Sequence, residues 1–407
     1  MPFSTASRHT RPTSAPLEAN PFDKEEVLPG LGIAVLWVVL SYVFVSLLML
    51  PVIAVALSWL EFNGEARAIL AEMLQTVLPD YAATSLLLCL CVGAGVAAVG
   101  MATASAVTLF EFPGRRIFEW ALLLPLAMPA YVVAYAYTDF LQFSGPLQTT
   151  LRGLLGVEGR VFPEVRNVWG AACVFTLALY PYVYLLARTA LSERANHLME
   201  AARLLGAPLS RRILRVALPL ARPAIAAGTA LALMETLADF GVSSYFGIQT
   251  FTAGIYKAWL VMDNRIASAQ LATVLLMVVV VLLAAEQRAQ SRLRFSSARS
   301  DRHSSESQPL QLKGLAACIA WLLCVLPVLC GFVLPIVFML RALWLGTDEV
   351  ALPWARFAQW SITSLSLGLF TALLAVGAAL LLAAQARLQP NWLTHQVRWV
   401  VSLGYAV

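Results

Sequence analysis

The sequence predicts an all-α integral membrane protein, a polytopic bundle of transmembrane helices. Three observations carry this. Of the 407 residues 60% are hydrophobic and only 13% charged, against about half and about a quarter in a soluble domain. Eight apolar runs reach the roughly 20 residues needed to cross a bilayer as helix, at 33–58, 82–110, 117–140, 168–187, 224–246, 269–285, 314–340 and 361–384. The basic residues are also sorted. With the N-terminus in the cytoplasm, only Arg67, Arg152, Arg160, Arg166, Lys257, Arg265, Arg341 and Arg356 fall outside, which leaves 20 of the 28 Lys and Arg on the inner side. That matches the positive-inside rule, and the opposite orientation inverts the ratio. The net charge of +5 is thus a topology signal, and no nucleic-acid partner is expected.

In chain order, residues 1–30 form a polar cytoplasmic tail without the short apolar core of a cleavable leader. The run beginning at Ile33 is too long for such a leader and reads as a membrane anchor. Six spans complete a first transmembrane half over 31–286, with a long basic loop at 188–223 between the fourth and fifth. The stretch 287–313, rich in Ser and Arg, reads as a flexible cytoplasmic linker. Residues 314–407 open a second half, and a ninth apolar run begins near Trp399. A repeat supports this division. Thr84-Ser85-Leu86 recurs as Thr363-Ser364-Leu365, Trp120 aligns with Trp399 at the same offset, and Pro51 aligns with Pro335 at nearly that offset.

Several chemistries are excluded. The six cysteines all fall inside apolar runs with no CxxC pair, and the four histidines lie outside those runs, so neither set has metal-ligand spacing and no metal site or cofactor is expected. No Gly-rich loop ends in Gly-Lys-Ser/Thr and no nucleophile elbow occurs, so the chain is not expected to be an enzyme or to hydrolyse ATP itself.

Ionisable groups at membrane depth are costly, which makes each a candidate. Glu235 and Asp239 stand four residues apart on the fifth span and are expected to share a helix face. They can line a translocation path; interhelical hydrogen bonding and the outer interface explain them too. Tyr131, Tyr135, Tyr137 and Asp139 on the third span offer hard oxygen atoms suited to a hard cation, while an aromatic belt accounts for the tyrosines equally. Pro125, Pro129 and Pro181 are expected to kink their helices.

The loop at 188–223 holds EAARLLGAPLSRRILRVALPLARPAIAAG, residues 200–228. Ala195, Leu198, Ala202 and Leu205 make one stripe at helical spacing. Gly206 can take the left-handed conformation that ends a helix, and Pro208 prevents its continuation. A second short helix carries Leu209, Ile213, Val216 and Leu220 on one face, and Pro219 and Pro223 are expected to break the path before the next span. An amphipathic hairpin of this kind can simply lie on anionic headgroups. Ala201 and Ala202 beside Glu200, however, offer a small, shallow surface suited to docking in a partner's groove.

The spacing Glu200-Ala201-Ala202-x3-Gly206-x9-Val216-x-Leu218-Pro219 resembles the EAA loop of ABC-importer permeases, with Val216 in place of Ile as the sole departure. Residues 122–152 and 234–272 are similar to the ferric-iron transport permeases of bacteria, which fuse two permease halves in one chain. The resemblance implies a type I importer (MetI-like) permease fold, here one complete six-helix half plus the start of a second. It also implies a multi-pass protein of the bacterial inner membrane, with an EAA loop docking on cytoplasmic ABC ATPase subunits and cargo delivered by a periplasmic iron-binding protein. A second EAA loop is due near position 479, so the chain is expected to be part of a longer permease. Permeases for thiamine, polyamines or phosphonates, and less closely a secondary transporter anchored by 188–223, are the rival readings.

Overall fold

The computed structural model describes residues 27–61, 64–192, 201–297, 310–346 and 353–388. The chain divides into two compact units. The described part of the first consists of residues 27–48 from helix α1 (Val27–Leu57) and 361–388 from helix α15 (Trp354–Leu388). Helix α15 is apolar and exposed almost throughout, as a surface meeting lipid is.

The second unit holds the rest. Its helices are α2 (Gly64–Gln75), α3 (Leu78–Leu109), α4 (Arg115–Ala121), α5 (Ala130–Leu141), α6 (Pro146–Leu155) and α7 (Val168–Ala190). After the basic loop come α8 (Leu209–Arg212), α9 (Leu218–Ala238), α10 (Gly241–Phe246), α11 (Phe251–Leu260) and α12 (Arg265–Ser297). Helices α13 (Leu315–Val328) and α14 (Leu334–Gly346) close the unit, joined by a π-helical turn over Leu329–Val333. Among the described residues the fold is all-α apart from one parallel pair, β1 (Phe110–Glu111) with β2 (Leu310–Gln311).

Among the described residues, seven helical segments are long and apolar enough to cross a membrane, or eight with one bent pair, so the protein is a multi-pass membrane protein. Seven of the eight expected runs fall on these helices. The third is different. Expected as one helix over 117–140, it is two arms, Arg115–Ala127 and Ala130–Leu155, meeting at 87°. Pro125 and Pro129 cause the break. Each lacks an N–H and disfavours helix in the residue before it, so the chain passes through a 3-10 turn at Leu124–Ala127 and an extended Met128 before α5 begins. Pro181 behaves otherwise and sits inside an unbroken α7. The fifth span ends at Ala238 rather than continuing to 246. Within the stretch read as linker, α12 runs on to Ser297 and β2 forms at its far end.

The core of this unit is the packing of α3 against α7 and of α9 against both. Small residues bring the backbones together, which is how helices associate where burial against lipid gives no gain. Val183 of α7 is held between two glycines. A Cβ on Gly100 of α3 would lie 2.6 Å from Val183 Cβ, and one on Gly228 of α9 would lie 2.6 Å from Val183 Cα. Tyr180 and Tyr184 are fully buried beside it, and each hydroxyl donates to a backbone carbonyl, of Leu122 and Glu119 respectively. Buried phenols thus have the partners they need.

Candidate functional site

The break in the third span opens a cavity of about 160 Å³. One wall is the break itself: Leu126, Met128, Pro129, Ala130 and Tyr131. Another is α7, through Phe175, Ala178, Leu179 and Tyr182, and Glu235 and Asp239 complete the lining. The two carboxylates meet there, but not as two positions on one helix face. Asp239 is the residue at which α9 stops, with ψ at 120°. Its Oδ1 accepts the Val242 N–H at 2.8 Å, capping the next helix. An Asp in that role starts α10 as readily as it ends α9, and the apolar run 224–246 concealed it.

Tyr131 lines the cavity, whereas Tyr135 and Asp139 do not. The Tyr135 ring packs 5.9 Å from that of Tyr245. Tyr137 points elsewhere again, its hydroxyl donating to the Cys330 carbonyl at 2.6 Å and its ring meeting Phe338 edge-on. Met128 and Tyr182 were not foreseen as lining residues. The signal for Met128 was present in Pro125-Leu-Ala-Met-Pro129, whose two prolines leave no room for a continuous helix. Among the described residues the lining carries two carboxylates and two phenols and no basic side chain, so its electrostatics favour a cation over an oxyanion.

The second feature is the loop after α7. Glu200 lies outside the described residues. Ala201 and Ala202 lie in a helical stretch described over 201–204. It closes with both bonds of a Schellman cap, Ala207 N–H to Ala202 O at 3.0 Å and Gly206 N–H to Arg203 O at 2.9 Å. Gly206 has a φ of +75°, as its position after the helix requires. Leu204 and Leu205 are 84% and 88% exposed. Leu209, Ile213 and Val216 turn the other way and pack on the core, and Ala217 is fully buried. Leu218 and Pro219 are half-buried.

One expectation fails here. Pro219 and Pro223 do not separate a short helix from the next span, because the chain is helical without interruption over 209–238. A π turn over Ile213–Ala217 ends with Leu218 N–H bonded to Ile213 O. The wider turn re-routes the hydrogen bonding just before Pro219, which then sits in the first turn of α9, where its missing N–H costs little. The second arm of the loop, 209–217, is therefore continuous with α9.

A broken helix, a carboxylate-lined cavity and a capped, exposed loop thus stand together in one membrane bundle. Residues 96–294, a segment that holds both the cavity and the loop, match the family described as binding-protein-dependent transport system inner membrane component. Among similar proteins, the Fe(3+)-transport system permease protein FbpB 2 of Haemophilus influenzae is 26% identical over 252 residues, covering 61% of this chain and 45% of that one. The sulfate transport system permease protein CysT of Escherichia coli is 28% identical over 143 residues, 35% of this chain and 49% of its own. The spermidine/putrescine transport system permease protein PotB of Haemophilus influenzae is 32% identical over 136 residues, 33% and 46% of the two chains. The chain spans about half the length of these relatives.

Proposed function

We propose that the chain is the membrane-spanning permease subunit of an ATP-driven importer of the bacterial inner membrane, with its N-terminus in the cytoplasm and ferric iron as its cargo. The observation that carries the importer reading is the EAA-spaced loop. Its Schellman cap fixes Gly206 and leaves Leu204 and Leu205 presented to a partner, while the other arm is anchored in the core. A cytoplasmic ATPase subunit receives this surface in a helix-in-groove mode, with Glu200, Ala201, Ala202, Gly206, Val216, Leu218 and Pro219 as the coupling element. A periplasmic binding protein delivers the cargo to the other side.

Cargo identity rests on two supports. One is the likeness over 252 residues to a protein whose name specifies Fe(3+). The other is the cavity, whose Glu235, Asp239 and Tyr131 offer oxygen donors suited to a hard cation. Tyr135 and Asp139 lie one and two turns further along α5 and extend the path outward. Sulfate fits this lining poorly, since no cation lines it.

The test is uptake of radiolabelled ferric iron by cells lacking other ferric systems. Cells carrying the gene are expected to accumulate the label, and a tenfold excess of spermidine or sulfate should leave uptake unchanged. Glu235→Gln with Asp239→Asn should cut uptake roughly tenfold, the effect of about 1.4 kcal/mol on the rate-limiting step. Uptake of spermidine instead of iron overturns the cargo and leaves the importer standing. Uptake that persists without any ATP-hydrolysing subunit, driven by an ion gradient, overturns the importer.

A further inference from the structure

Where α7 runs toward the loop, it holds the first arm of the broken span by four side-chain bonds. Tyr180 donates to the Leu122 carbonyl at 3.0 Å and Tyr184 to the Glu119 carbonyl at 3.1 Å. Arg188 donates to that same carbonyl at 3.4 Å, and its Nη2 pairs with Glu119 Oε2 at 2.9 Å. The other oxygen of Glu119 faces Arg115 Nε at 3.6 Å. Arg115 in turn pairs with Glu111 and donates to the Val107 carbonyl at the end of α3. These are the charged groups that meet at the start of the arm, and they alternate in sign.

The placement of this cluster matters more than its strength. Arg188 is the basic residue in the last turn of α7, two positions from the end of that helix and at the start of the loop. Glu119 lies on α4, which leads through Leu122 and Leu123 directly into the 3-10 turn whose Leu126 lines the cavity. The same α7 supplies Phe175, Ala178, Leu179 and Tyr182 to the cavity. One helix therefore joins three things: the loop, the arm and the cavity wall. Of the four bonds, three go to backbone carbonyls and the fourth is the Glu119–Arg188 ion pair.

We propose that Glu119 and Arg188 are positioning residues that clasp the broken span to α7, so that displacement of the loop is transmitted to the cavity wall at Leu126. The proposal rests on the coupled-permease reading above. Without the clasp the ATPase subunit still docks and turns over, but the arm no longer follows α7. The phenotype is uncoupling, which differs from the loss of docking expected of a damaged loop.

The experiment uses the chain purified with its ATPase subunit and carrying Leu126→Cys as a reporter. Labelling by a membrane-impermeant maleimide, above the background of the same chain without Leu126→Cys, is compared between the nucleotide-free and the ATP–vanadate-trapped states. The reporter chain is expected to change its labelling rate roughly fivefold or more, the low end of coupling between sites. Glu119→Gln and Arg188→Gln should each bring the ratio close to unity while ATP hydrolysis and co-purification of the ATPase persist. Glu119→Lys combined with Arg188→Glu should restore at least half of the response, which a merely structural role does not predict. An unchanged response in either single variant, or no recovery in the combined one, overturns the clasp. No response in the reporter chain itself overturns the clasp together with the coupled-permease reading.

Discussion

Two kinds of glycine carry the molecule, and they respond to substitution in different ways. Gly206 has open space around it, with nothing within 4 Å of an added Cβ, so its requirement is conformational alone. Gly206→Val should strain the cap by about 1–2 kcal/mol, the cost of a left-handed L-residue. The protein should still insert, yet lose stimulation of ATP hydrolysis in a reconstituted complex; Gly206→Asn, which tolerates that region, should retain most of it. Gly228 is the opposite case. Its φ is ordinary, but a Cβ would meet the Val183 backbone at 2.6 Å. Gly228→Ala should therefore destabilise the bundle by about 1–3 kcal/mol through overpacking. In α6, Gly153 has nothing within 4 Å, and Gly153→Ala should instead stabilise by up to about 1 kcal/mol through helix propensity. Thermal unfolding in detergent reads both, and shifts of the same sign would contradict the packing described.

At the scale of elements, the π turn over Ile213–Ala217 sets the angle between loop and span. A π turn carries one residue more than the α-helix around it needs. Deleting Leu214, which is exposed, should close it to an ordinary turn and rotate the loop against α9 by about 100°, one residue's worth of helix. The variant should insert, and co-purification with the ATPase subunit should fall sharply; undiminished co-purification would show that this angle is immaterial. Hydropathy could not have revealed the turn, because Leu209, Ile213, Val216 and Ala217 keep a spacing that an uninterrupted α-helix also allows. The broken third span was half legible. Pro125 and Pro129 announced a disturbance, yet residues 117–140 are apolar enough to cross whole, and only the geometry showed two arms at 87°. Gly206 was fully legible, since a Gly-x-Pro following an apolar stripe admits few conformations other than the cap observed. Asp239 was misplaced because its run stays apolar beyond it, and period-counting has no means of placing a helix end there.

For the whole molecule, the proposed orientation makes the sharpest claim. Reporter fusions after Arg115 and within 288–312 should read cytoplasmic, and fusions within 144–166 and 248–266 periplasmic, with alkaline phosphatase active only in the second set. Phosphatase activity from 288–312 would invert the assignment and place the basic loop on the wrong side for an ATPase. The parallel pair β1–β2 has a consequence for how such a chain is made. Leu310 follows Phe110 by 200 positions, and translation supplies roughly 5–20 residues each second. For about 10–40 s of synthesis, then, the short edge at Phe110–Glu111 waits without its partner while four further spans enter the membrane. The pairing that closes at Leu312 N–H on Glu111 O is a late stitch, fastened only after the first set of helices has been threaded and before the ribosome has finished the next.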